Sequence, residues 1–147
     1  HDALAALGVA VDTISFGGAA GGDRADYVTP RATVELLAAF AKRPDFAVYL
    51  EALPVLGVDG TLASAVGGDS PAVDKFQAKT GTLLWANVMN DRYLLTSKAL
   101  AGYGTSAGGK RLSLAIFVNQ VHITNSTDRE RIGRDLGKLC EIIYQSL

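Results

Sequence analysis

Lys79-Thr80-Gly81-Thr82 closes a run, Val73 to Thr82, that begins just after Pro71 and reads as a β-strand. Four residues here combine an ammonium, two hydroxyls and a bare glycine. Lys79 offers a point charge, and Thr80 a hydroxyl able to donate to a carboxylate oxygen. Gly81 has no Cβ, so a ligand can lie against the backbone. Side chains alternate along a strand, which puts Lys79 and Gly81 on one face and Thr80 and Thr82 on the other. Both faces can serve one ligand only if the strand lies at a sheet edge with its N–H groups open. Taken alone, the tetrapeptide is weak evidence, and a polar strand end is the simpler account of it.

The flanking residues supply context. Leu53-Pro54-Val55-Leu56-Gly57-Val58-Asp59-Gly60-Thr61-Leu62-Ala63 precedes the strand by about one helix-length, and Val28-Thr29-Pro30 opens a helix further back. Downstream come Ala99-Leu100-Ala101-Gly102-Tyr103, a Gly-rich turn, and Leu112 to Asn119. This order resembles the C-terminal third of the serine D-alanyl-D-alanine carboxypeptidases of the penicillin-binding protein 4 group, over nearly the whole chain. The resemblance implies an α+β fold, the C-terminal part of a β-lactamase/transpeptidase-like architecture. That is an antiparallel sheet with a C-terminal helix packed on one face. Such enzymes carry Ser-x-x-Lys, Ser-x-Asn and Lys-Thr-Gly, and only the third is present: no Ser or Thr precedes a Lys by three residues, and no Ser-x-Asn occurs.

With 147 residues the chain has the size of one domain able to bury a core. A formal net charge of −1 provides no field to attract nucleic acid or an anionic membrane. The single cysteine, Cys140, excludes an internal disulfide. No apolar run reaches the roughly 18 residues of a membrane span. The expectation is one C-terminal portion of a transpeptidase-like domain, residues 1–147, with the nucleophile-bearing N-terminal portion absent and the start at His1 a truncation.

Along the chain, Leu4 and Leu7 have helical spacing, with Gly8 placed as a C-terminal cap. Val9 to Val11 and Thr13 to Phe16 suggest a short strand pair. Gly17 to Gly22 is a loop nearly without side chains that either hugs another surface or moves. Relatives usually read Asp-Gly-Ser-Gly here, whereas this chain has Gly18-Ala19-Ala20-Gly21-Gly22-Asp23-Arg24. Thr29 caps a helix with Pro30 at its first position, and Val34, Leu37, Ala38 and Ala41, widened by Leu36 and Phe40, give it a well-buried apolar stripe. Asp45 caps a second helix, Phe46 to Leu53, with Phe46, Tyr49, Leu50 and Leu53 inward. Thr61 to Val66 adds a helical turn or two. Strands are expected at about 73–83, 99–106 and 111–121, the last two joined by a turn at Ala107 to Lys110. Leu83 to Lys98 reads as an added segment next to the motif: a lid, a specificity wall, an interface loop or a plain hairpin extension. Thr127 to Glu130 forms a capping box for a last helix with Ile132, Leu136, Leu139, Cys140 and Ile143 on its apolar face.

Other signals carry less. Gly104 to Arg111 nearly matches a phosphate-binding loop, but Arg111 stands where magnesium needs a hydroxyl and a strand follows where a helix is required. His1 and His122 have no ligand-spaced neighbours, so neither a metal nor a cofactor is expected. Cys140 reads as core, and Asn125-Ser126-Thr127 fits a glycosylation acceptor but also a helix cap.

The resemblance assigns roles to the motif. Lys79 and Thr82 are the catalytic candidates, and Lys79, Thr80, Gly81 and Thr82 bind substrate. Lys79 attracts a terminal carboxylate, Thr80 hydrogen-bonds it, Gly81 keeps the approach clear, and the Thr82 N–H is an oxyanion-hole donor. The implied partners are a peptidoglycan stem peptide or β-lactam and the missing N-terminal portion, with no nucleic acid and no membrane span, on the extracytoplasmic side. Two other readings stand beside this one: a degenerate homologue that serves as a scaffold, and an unrelated α+β domain.

Overall fold

The structure, a computed structural model, describes residues 1–18 and 21–147, Ser126 by its backbone alone. Among the described residues four helices, α1 (Asp2–Ala6), α2 (Pro30–Phe40), α3 (Phe46–Glu51) and α4 (Ser126–Ser146), accompany three strands, β1 (Phe76–Asn87), β2 (Arg92–Thr105) and β3 (Arg111–Ile123). The strands form an antiparallel sheet in the order β1-β2-β3, so β1 is an edge. The fold is α+β as expected, with α4 packed on one sheet face.

Alternation along the strands sorts the core. Phe76, Ala78, Leu100 and Leu114 point to the face covered by α4, where they pack with Leu136 and Cys140 and with Leu56, Leu62 and Ala72. Tyr103 points to the opposite face. Its hydroxyl donates to the Leu37 carbonyl at 2.8 Å, and its ring meets Phe46 edge-on at 4.9 Å, which ties β2 to α2 and α3. Burial, followed by the neighbouring Tyr49, pushes that phenol up to about 12.

Several helix ends follow the sequence. The Thr29 hydroxyl accepts from the Ala32 N–H with Pro30 behind it. Gly8, at φ +78, closes α1, with its N–H donating to Ala5 and that of Val9 to Leu4. Others differ. Asn125 caps α4, two residues before the expected Thr127. Its side chain accepts from the Asp128 N–H at 2.9 Å, while the Asp128 carboxylate accepts from the Thr124 N–H at 3.1 Å. Leu139 is 40% exposed, outside the core arc of Ile132, Leu136 and Cys140. In α2 only Ala32 and Leu37 are fully buried. The Asp45 carboxylate pairs with Arg43 and makes no cap hydrogen bond, and α3 stops at Glu51. Of Thr61 to Val66, only the start belongs to a 3-10 turn, Gly60–Leu62.

The expected strand pair near residues 9–16 is absent among the described residues. Val11–Thr13 make a 3-10 turn, and Ser15 bridges to Tyr27. Of the Gly17–Gly22 loop, residues 19 and 20 lie outside the described part. The amides of Gly17 and Gly18 donate to the Asp26 carboxylate at 2.8 and 3.3 Å.

The strands also exceed their expected bounds at one end. Segment 83–98 extends the hairpin: β1 and β2 continue, with a register shift between Leu83 and Leu84, to a tip at Val88–Asn90. β1 starts at Phe76 because Asp74 takes a left-handed φ of +67 and the Lys75 N–H turns back to the Ala72 carbonyl.

Candidate active site

The β1 edge divides into a covered and an open half. Leu56 donates its N–H to the Phe76 carbonyl, and Ala78 donates to the Pro54 carbonyl, both at 2.9 Å. The Pro54–Leu56 segment therefore occupies the edge over residues 76–78. It is held by the Asp59 carboxylate, which accepts from the Val55 N–H at 2.7 Å, and by Leu56 and Leu62, both fully buried. Backbone groups alternate in direction along a strand. The N–H groups of Thr80 and Thr82 thus point the same way as that of Ala78, off the sheet, with no protein carbonyl in front of them among the described residues.

The motif's side chains surround this opening. The Lys79 ammonium is exposed and donates to the Thr80 carbonyl at 2.6 Å, which keeps it at the strand edge. No carboxylate lies within ion-pair distance of it among the described residues. A Cβ built on Gly81 would meet only the Ala99 methyl at 3.9 Å among the described residues, which leave the space beside Gly81 open. The Thr80 hydroxyl donates to the Thr61 hydroxyl at 2.9 Å, and the Thr82 hydroxyl accepts from Lys98 Nζ at 2.9 Å.

Structure and sequence reading therefore meet on the strand, its edge position and the two-faced arrangement of Lys79 to Thr82. Two residues escaped the reading. Thr61 and Lys98 lie 19 and 16 positions from their partners, and no local periodicity links them. For Thr61 a signal existed, the Asp59-Gly60-Thr61-Leu62 pattern ahead of the strand. Lys98 sits directly opposite Thr82 in the β1–β2 register, which becomes readable only once the hairpin is known to extend beyond residue 99.

Cys140 is fully buried, and desolvation pushes its thiol up to about 12, as expected of a core residue. Gly104 to Arg111 straddles the β2–β3 turn, with Gly109 at φ +79. His122 is exposed near the end of β3. No helix among the described residues is long and apolar enough to cross a membrane.

The helix-backed antiparallel strands with the Lys-Thr-Gly edge have a β-lactamase/transpeptidase-like fold. The fold is shared with TLA-1 extended-spectrum β-lactamase, at TM-score 0.62 and 21% identity over 94% of this chain and 51% of the enzyme. It is also shared with penicillin binding protein 4 (dacB) from Haemophilus influenzae in complex with a novel β-lactam, at TM-score 0.66 and 24% identity over 98% of this chain and 32% of that protein. Residues 1–137 match the D-Ala-D-Ala carboxypeptidase 3 (S13) family, and the chain belongs to it. Over 97 residues, 65% of this chain, it is 34% identical to the D-alanyl-D-alanine carboxypeptidase DacB of Haemophilus influenzae, of which it spans 18% of the length.

Proposed function

We propose that this chain is the Lys-Thr-Gly wall of a serine-type D-alanyl-D-alanine carboxypeptidase or endopeptidase. The enzyme acts on peptidoglycan stem peptides outside the cytoplasm and is acylated by β-lactams. In that reaction a serine Oγ, carried on polypeptide outside this chain, attacks the carbonyl of the penultimate D-alanine. The C–N bond breaks, the terminal D-alanine leaves as an amine that takes up a proton, and water hydrolyses the resulting ester. The open edge of β1 supports this reading best. Among the described residues it offers two unpaired backbone donors and an ammonium without a counter-charge beside a glycine with free space.

In this reading Lys79 draws in the terminal carboxylate and tunes the Ser-x-Asn hydroxyl by its charge. The Thr80 hydroxyl exchanges its Thr61 partner for the carboxylate. The Thr82 N–H is one of two donors to the developing oxyanion, and losing such a donor costs about 10²–10³ in rate. Because Thr82 contributes this donor through its backbone, its side chain matters less than that of Lys79.

Acylation by a fluorescent penicillin tests the reading. The complete polypeptide should form a covalent adduct, and Lys79→Ala should slow acylation about 100-fold, with Thr82→Val slowing it less. The 147-residue chain alone should give no adduct. No adduct on the complete polypeptide would favour a homologue kept as a binding or scaffold module. Equal losses from the two substitutions would overturn the assigned roles.

A further inference from the structure

We propose that Lys98 is a positioning residue for this site, fixing the Thr82 hydroxyl as a hydrogen-bond donor toward the carboxylate of the ligand. The inference rests on the reading above and adds a member that the motif does not contain. Lys98 lies on β2 directly opposite Thr82 and reaches it on the α4 face, Nζ to Oγ1 at 2.9 Å. An ammonium has donors and no acceptor, so Thr82 Oγ1 must accept in this contact. The hydroxyl proton is then left to point elsewhere. Thr82 Oγ1 has no second partner among the described residues, so that proton is available to an incoming acceptor. A neutral partner in place of Lys98 would leave the hydroxyl free to turn either way.

The surroundings argue against a purely structural role. Lys98 is partly buried and has no carboxylate within ion-pair distance among the described residues. Burial first, and the Arg129 guanidinium second, lower its pKa. A cavity of about 200 Å³ beside it is lined by Thr61, Thr80, Glu130 and Arg134, and of these Glu130 is the one acid. Holding a partly desolvated cation without a counter-ion costs stability. A carboxylate arriving at the β1 edge would offset that cost, with Lys79 on the strand's other face acting alongside.

The test compares acylation of the complete polypeptide by a penicillin with a free carboxylate and by its methyl ester, across a range of concentrations. For the acid, Lys98→Met should raise the half-saturating concentration about tenfold, as expected for a hydrogen bond to a charged group, and move the limiting rate less than about threefold. For the ester, the variant should stay within about twofold of the parent protein. Thr82→Val should reproduce the pattern, and adding Lys98→Met to it should cost less than about twofold more, as for two residues acting as one unit. Parent-like behaviour of Lys98→Met toward the acid, equal losses on acid and ester, or full additivity with Thr82→Val would each overturn the proposal. If Lys98→Met folds poorly, Lys98→Gln, a neutral partner able to donate or accept, takes its place with the same outcomes deciding the case. A parent protein that is not acylated at all removes the underlying reading, and this inference falls with it.

Discussion

Gly81 and Gly102 sit on adjacent paired strands in opposite surroundings. A Cβ on Gly102 would overlap the Gln77 carbonyl oxygen and the Ala78 backbone, while one on Gly81 would meet only a methyl at 3.9 Å. Gly102, on β2, lies opposite Ala78 in the covered half of β1, where Pro54–Leu56 seals the edge and Phe76 and Ala78 are fully buried. Gly81 belongs to the open half, where the Thr80 and Thr82 amides have no acceptor among the described residues. One strand thus changes from structural to available within a few residues. In the covered half the fold requires a glycine, and in the open half the described residues leave the space beside it free.

The strongest challenge to this contrast is Gly102→Ala. The new methyl meets backbone, which can yield only if β1 and β2 separate. The variant should lose about 3 kcal/mol or more of stability, read as a lowered denaturant midpoint. A loss below about 1 kcal/mol would mean that the covered half has slack, and the comparison would fail on that side.

Gly81→Ala sharpens the other side. Alanine is favoured over glycine within a strand by about 0.5–1 kcal/mol, and nothing crowds the added methyl, so stability should hold or rise slightly. Acylation of the complete polypeptide should nevertheless fall about tenfold to a hundredfold, because a ligand displaced by the methyl loses its alignment. A variant as unstable as Gly102→Ala would make Gly81 structural. A stable variant acylated at the parent rate would show that the ligand does not use this space.

What was legible in the sequence follows the same division. Features set by neighbours in sequence were readable: the Thr29-Pro30 start of α2, the Gly8 stop of α1, the β2–β3 turn and the edge motif. The start of α4 was nearly so, and it was missed because Asn and Thr are both good caps. Asn125 won since its side chain reaches the Asp128 N–H while Asp128 reaches back to Thr124. The length of the β1–β2 hairpin was not legible, because the register shift after Leu83 breaks the alternation that would have marked it. Its tip leaves Val88 and Met89 86% and 93% exposed, and apolar exposure of that kind does not look like a strand end in sequence. The Thr61 and Lys98 contacts depend on that hairpin and on the edge segment, so they appear only in three dimensions.

The smallest expected effect concerns the start of α4, the helix that backs both halves of the sheet. Hydrogen bonds from the Thr124 N–H and hydroxyl, with a smaller contribution from Arg131, hold the Asp128 carboxyl below its ordinary value. Protons therefore bind it more weakly in the folded chain than in the unfolded one. Its contribution is complete above the usual Asp range near about 4 and is lost as pH falls through the lower folded value. Glu35, Asp45 and Glu141 are depressed in the same direction, so acid-lability of the parent protein alone cannot isolate Asp128. Asp128→Asn isolates it, because asparagine keeps an acceptor for Thr124 but loses the charge. The variant should melt slightly below the parent protein at neutral pH, and the gap should close as the pH is lowered from about 5 to about 2. A gap that stays constant across that range would mean that the cap acts by shape alone, and that the open half of β1 owes nothing to the charge at the root of its supporting helix.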